Sequence, residues 1–150
     1  MKYKIIDAEK KHIKNVGELF DLYRQFYKYE SNLIQSTNYI KERIYNKESK
    51  IFIAINNREE PVGFVQLYET FGSLDLGKII ILYDLYVEKD YRKNKVGRQL
   101  MIRSHEYAKK IKAKRIQLST ATDNFIGQSL YESLGYVKDT DFYTYDFEIK

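Results

Sequence analysis

Lys78-Ile79-Ile80-Ile81-Leu82-Tyr83-Asp84-Leu85-Tyr86-Val87 runs almost at once into Tyr91-Arg92-Lys93-Asn94-Lys95-Val96-Gly97-Arg98. The first stretch is nearly all apolar and β-branched or aromatic, as expected of a strand buried on both faces at the centre of a sheet. The second is a basic turn. Val96, Leu100, Met101, Tyr107, Ala108 and Ile111 then recur at helical spacing, with Lys and Arg on the outer face. A strand thus feeds a basic turn that opens into a helix. The first turn of a helix presents unpaired N–H groups and the positive end of its dipole, a setting suited to phosphate. Gly97 lets an anion approach the backbone, and Arg92, Lys93 and Arg98 add charge there.

Upstream, Lys2–Asp7 has the length and branching of a strand. Ile13, Val16, Leu19, Phe20, Tyr23 and Phe26/Tyr27 predict an amphipathic helix from about Lys10 to Tyr29. A short helix is expected over Thr37 to Asn46, then a hairpin of Ile51–Ile55 and Val62–Tyr68 around Asn56–Pro61, with Phe71–Gly77 as a loop. Downstream, Arg115–Thr120 reads as a strand. Asn124 reads as the N-cap of a helix to Leu134, and Gly135 as its left-handed stop. Tyr136–Val137 and Asp141–Ile149 are expected to close an antiparallel end. The fold class is α/β (α+β), with a mixed, mostly antiparallel sheet of six to seven strands and about four helices. Strands and helices alternate only in the second half, which excludes a doubly wound fold.

With 150 residues, one proline, and no repeats or linkers, a single domain over 1–150 is expected. The absence of cysteine excludes disulfides and thiolate chemistry, and no metal site is expected. No secretory signal or membrane-length apolar stretch is present, so a cytoplasmic protein is expected. The net charge of +5 is uneven: residues 88–115 hold eleven Lys/Arg against three Asp/Glu, and the rest of the chain 15 against 18. On charge alone such an island is either a lysine-rich solvated helix face or a site for a polyanion, whether nucleic acid or the phosphates of a nucleotide cofactor. Only Tyr91 and Tyr107 interleave with its basic residues, too few aromatics for a nucleic-acid surface, so no nucleic-acid partner is expected.

Arg92-x-x-Lys95-x-Gly97-Arg98, after Asp84-Leu85-Tyr86-Val87, resembles motif A of the GNAT acetyltransferases, Q/R-x-x-G-x-G/A. About thirty residues on, Asn124-x-x-Gly127-x-x-x-Tyr131-x-x-x-Gly135-Tyr136 resembles their motif B, N-x-x-A-x-x-x-Y-x-x-x-G-F. The pattern is most similar to the small-amine branch that includes diamine acetyltransferases. The resemblance implies a GNAT fold and direct acetyl transfer from acetyl-CoA to a primary amine of a polyamine-like or amino-acid-like molecule. A protein or peptide amine, or CoA binding without catalysis, are the alternatives. It implies that backbone groups of Leu85, Tyr86 and Val87 pair with the pantetheine arm. It places the pyrophosphate on Arg92, Lys93, Asn94, Lys95, Val96, Gly97 and Arg98. Asn124 would bond the arm, and Tyr131 would lie near the sulfur as proton donor to the departing thiolate. A homodimer is the family habit, with the aromatic C-terminal stretch Phe142, Tyr143, Tyr145 and Phe147 as the local support.

Lys95 stands where motif A has its first glycine, at a cost of roughly 1–2 kcal/mol if the site needs positive φ. Gly127 replaces the usual alanine, weakening its helix by up to about 1 kcal/mol. The diamine branch carries a glutamate where Tyr83 stands, so that base is missing. Asp84, expected on the opposite face of the strand from Tyr83, is the catalytic candidate instead. An ionisable group in so apolar a strand needs a partner or a task. A carboxylate bonded to backbone N–H groups at a bulge is an equal reading of Asp84. Glu69 is a weaker base, and a water could serve. Glu69, Asp75, Asp84 and Glu30, with Phe71 and nearby tyrosines, could form an acidic, aromatic acceptor cleft.

Overall fold

Strand β4 (Gly77–Val87) organises the sheet, and ten register pairs join it antiparallel to β3 (Pro61–Gly72). The computed structural model describes residues 2–150. Beyond β3 lie β2 (Lys50–Asn56) and β1 (Tyr3–Asp7), both antiparallel; on the other side β5 (Ile116–Gln117) runs parallel to β4. The order is β1-β2-β3-β4-β5, a mixed five-stranded sheet. Helices α1 (Ile13–Phe26) and α2 (Leu33–Tyr45) follow β1, α3 (Val96–Lys110) joins β4 to β5, and α4 (Phe125–Ser133) comes last.

Alternation along the strands assigns each face. Phe64 packs with Ile51, Ile53 and Ile55 against Val16, Leu19, Phe20 and Ile40, so this face belongs to α1 and α2. Residues of the opposite parity, Phe52 among them, face α3, where the Phe52 and Tyr107 rings meet at 5.8 Å. Burying each such large apolar side chain contributes about 1.5–3 kcal/mol. Helices α1 and α2 approach closely because of Gly17. A Cβ there would lie 2.8 Å from the Cα of Thr37. Among the described residues, no helix is long and apolar enough to cross a membrane.

Among the described residues the sheet has five strands, and the expectation of six to seven is corrected at the C-terminus. Tyr136–Val137 and Asp141–Ile149 form no strand. A strand exists through its ladder and one buried face. Here both parities are exposed: Phe142 and Phe147 at 74% and 88%, Tyr143 and Tyr145 at 92% and 90%. The loop expected over Phe71–Gly77 shrinks, since Phe71↔Lys78 and Gly72↔Gly77 are still paired. The second helix starts earlier than its apolar spacing implied, because Asn32 caps it by accepting from the Gln35 N–H at 3.1 Å. The chain clusters into two compact units, one ending at Leu118 and the other Ser119–Lys150.

Candidate active site

A bulge near the end of β4 sets the site. Gln66 pairs with Asp84 but Leu67 with Leu82, which leaves Tyr83 as the extra residue. The bulge cancels the alternation expected of a plain strand. Tyr83 meets the ring of Tyr68 (5.8 Å between centroids) while Asp84 meets Gln66, and Gln66 and Tyr68 share one face of β3. Tyr83 and Asp84 therefore both serve the α1/α2 side, and the expectation that they face apart is corrected.

Asp84 is only 2% exposed. Its Oδ2 accepts from Gln66 Nε2 at 2.5 Å, and Gln66 Oε1 accepts from the Ser49 hydroxyl at 2.8 Å. Its partner is thus a side-chain amide. Burial raises the Asp84 carboxyl from 3.8 to about 6, while hydrogen bonding from Gln66 and Tyr23 pulls the other way. Tyr23, from α1, donates to the Tyr83 carbonyl at 3.1 Å. Burial and the Asp84 charge push the Tyr23 phenol well above its usual range. Tyr68 is raised too, first by burial and then by its 2.6 Å hydrogen bond with Tyr39. The Arg43 guanidinium lies 4.3 Å over the Tyr39 ring. A buried carboxyl that titrates near neutrality, walled by tyrosines, can take a proton from an amine.

Glu69 and Asp75 do not join this group. Glu69 lies on the α3 face, accepting from the Tyr107 hydroxyl at 2.7 Å and pairing with Lys78 at 3.1 Å. The Tyr107 hydrogen bond holds its carboxyl below the usual range, with Lys78 adding to the effect, which disfavours a base. Asp75 is paired with Arg115 at 3.1 Å. Gln66, Ser49, Tyr23 and Tyr39 escaped the sequence reading. The available signal was Gln66, a lone amide inside the apolar run Val62–Leu67.

The edge of β4 away from β3 carries the second half of this unit's site. Glu88 N–H bonds the Val62 carbonyl at 2.9 Å, so in the alternating antiparallel ladder Gly63↔Val87 and Val65↔Leu85 are non-hydrogen-bonded pairs. The N–H and C=O of Leu85 and Val87 therefore point away from β3, whereas those of Tyr86 point toward it. Pairing of β5 with β4 covers only Ile80 and Ile81. Arg92 Nε reaches the Val87 carbonyl at 2.9 Å, and its guanidinium sits 5.5 Å over the Tyr86 ring. The loop that follows is fixed by Asn94, whose side chain donates to the Arg92 carbonyl (3.0 Å) and whose carbonyl accepts from Tyr3 (3.1 Å). Lys93 and Lys95 have φ of +62° and +63°. The position of the motif glycine thus does require the left-handed region, and Lys95 bears its cost. Lys95 is also the N-cap of α3 and makes no side-chain cap bond, so its side chain leaves the helix's first N–H groups uncovered. Val96 is buried at 1% exposure and anchors the helix start.

In the second unit, Asn124 Oδ1 accepts from the Gly127 N–H at 3.2 Å and Nδ2 donates to Thr120 at 2.9 Å. Gly127 has a packing reason: a Cβ there would fall 2.5 Å from Asn124 Nδ2. Tyr131 lies in α4, half-buried, its ring 6.2 Å from that of Tyr136. Burial, together with Tyr131, pushes the Tyr136 phenol up to about 12. Gly135 has φ +93°, as its helix stop requires.

The model of the acetyltransferase (GNAT) family matches residues 16–136. The chain is 40% identical over 130 residues to an uncharacterized N-acetyltransferase, YhfO, of Bacillus subtilis, spanning 87% of each chain. It is 23% identical to a thialysine N-epsilon-acetyltransferase of Caenorhabditis elegans, over 92% of this chain and 85% of that one. A crystal structure of a probable acetyltransferase superposes with a TM-score of 0.91 at 34% identity, covering 98% of both chains.

Proposed function

The chain belongs to the GNAT acetyltransferase family and is an acyl-CoA-dependent N-acetyltransferase, and on that premise we propose that its acceptor is the primary amine of a small polyamine-like or amino-acid-like molecule. One observation carries the reading: a buried carboxyl walled by tyrosines stands on the same strand end that exposes backbone groups at Leu85 and Val87. Aromatic walls with an acidic floor attract a compact cationic amine. The relative named for thialysine acts on such a molecule, which lends support at low identity. Residues 1–150 act as one domain in this reading, since the family match runs through both compact units.

The residues fit acetyl-CoA. Leu85 and Val87 offer the pattern an extended pantetheine arm needs to add as a strand. Tyr86, given the same role in the sequence reading, instead keeps its backbone on β3. The uncapped start of α3 and the left-handed Lys93 and Lys95 turn N–H groups toward a pyrophosphate, with Arg92, Lys93, Lys95 and Arg98 supplying charge. Arg92 also orders the Val87 carbonyl. When bound, acetyl-CoA supplies an activated acyl thioester. With it bound, the Val87 N–H would be the donor to the thioester oxygen, Asp84 would hold the proton the amine sheds, and Tyr131 of the second unit would be the proton donor to the thiolate. Asn124 orients the start of α4 and would bond the arm.

The test is mass-spectrometric detection of an N-acetylated product from acetyl-CoA and small cationic amines, wild type beside Asp84→Ala. Product from the wild type only, with CoA still bound by the variant, is the expected result. Equal product from both would remove Asp84 as the base.

A further inference from the structure

Asp84 must exist in two protonation states if it is a base, yet it is buried at 2% exposure beside Gln66, which is fully buried. In the structure the amide N–H of Gln66 faces Oδ2, and the amide oxygen is taken by the Ser49 hydroxyl. That arrangement suits the ionised carboxyl, and a neutral one only with its proton on Oδ1, away from Gln66. A protonated Oδ2 would set an O–H donor against an N–H donor, and a buried unmatched donor is costly. A carboxamide has both a donor and an acceptor end, and a half-turn exchanges them. Ser49 accommodates the exchange, because a hydroxyl donates or accepts by rotating. No buried side-chain N or O lacks a partner among the described residues. The exchange would preserve that condition.

We propose that Gln66, backed by Ser49, is a positioning residue whose carboxamide turns over as Asp84 gains and loses its proton on Oδ2, keeping that oxygen hydrogen-bonded in both states. The proposal rests on the catalytic reading of Asp84 for its purpose, but its geometry does not depend on it. The other groups facing Asp84 are tyrosines: Tyr23 from α1, Tyr68 from β3 and Tyr83 from its own strand. Arg43 of α2 stands behind Tyr39 and Tyr68. Burial raises the Tyr23 and Tyr68 phenols, away from the range in which Asp84 titrates, and the Arg43 charge does not change there. Asp84 therefore accounts for the proton that turns the amide.

Carbon-13 and nitrogen-15 NMR on the whole wild-type protein, titrated from about pH 4 to 8, tests this. The Gln66 side-chain NH2 is expected to change environment with the same midpoint as the Asp84 carboxyl carbon. Its proton contacts should move toward Ser49 at low pH. Gln66→Leu should raise the Asp84 midpoint by about 1–2 pH units, since the ionised form loses its donor. An NH2 group that keeps the same neighbours throughout would overturn the proposal. So would an Asp84 midpoint unmoved in a folded Gln66→Leu variant. No acceptor amine is needed for either readout, so inactivity toward amines would count against the function alone.

Discussion

Replacing Asp84 with asparagine should make the protein more stable at neutral pH while abolishing transfer. The folded state holds this carboxyl near 6 rather than 3.8 because it is buried. An acid raised on folding binds more protons folded than unfolded between those values, so stability falls as pH climbs from about 4 to 6. The displacement corresponds to roughly 3 kcal/mol of destabilisation above pH 7. Asparagine carries no charge, and its oxygen can still accept from Gln66. Its extra N–H group needs a partner and gives back about 1–2 kcal/mol. The net expectation is a gain of about 1–2 kcal/mol at pH 7 that closes near pH 5 and reverses below it, where Asp84 is itself protonated and only the cost of the extra N–H group remains. Urea unfolding of both proteins at each pH reads the difference directly. A variant less stable at pH 7, or a difference constant with pH, would refute the claim that burial of a charge governs this site.

Other outcomes follow from separate parts of the structure. Tyr131→Phe should lower kcat by about 10²–10⁴-fold with little change in acetyl-CoA affinity; equal losses in both would make Tyr131 a binding residue. Asp21, 4% exposed, accepts from Ser31, Asn32, Ser36 and Gln25 and joins the α1–α2 connection to α1. Asp21→Ala should cost about 2–5 kcal/mol in urea unfolding, chiefly from the buried Ser36 hydroxyl and the Asn32 N–H. These hydrogen bonds outweigh burial and hold the Asp21 carboxyl below its ordinary value. Its contribution is therefore complete above that value and lost as acid brings the pH down through the lowered one. Lys95→Gly relieves a left-handed residue, and calorimetry should show acetyl-CoA bound as tightly or more so. A tenfold weakening would mean that the lysine side chain itself holds phosphate.

Elements that announce themselves locally were legible in the sequence. The apolar run Ile79–Val87, the Asn124 cap and the Gly135 stop needed no tertiary context. The bulge at Tyr83 was not legible, because it depends on how β3 and β4 pair, and it alone decides which way Tyr83 and Asp84 point. Gln66 was hidden for the same reason: its meaning lies in the residue opposite it. The start of α2 was misplaced because Leu33 and Ile34 are exposed and carry no periodic signal, while the cap that sets it is Asn32. The C-terminal alternation of aromatics looked like a strand, but alternation in sequence needs a neighbour to become one.

The most direct measurement of the account is thiol release from acetyl-CoA across polyamines, amino acids, aminoglycosides and short peptides. Turnover concentrated in small cationic amines, with a wild-type kcat/KM that rises through a pKa near 6 and no transfer by Asp84→Asn at any pH, is the predicted result. Turnover confined to peptides, or a profile unchanged by the substitution, would contradict it.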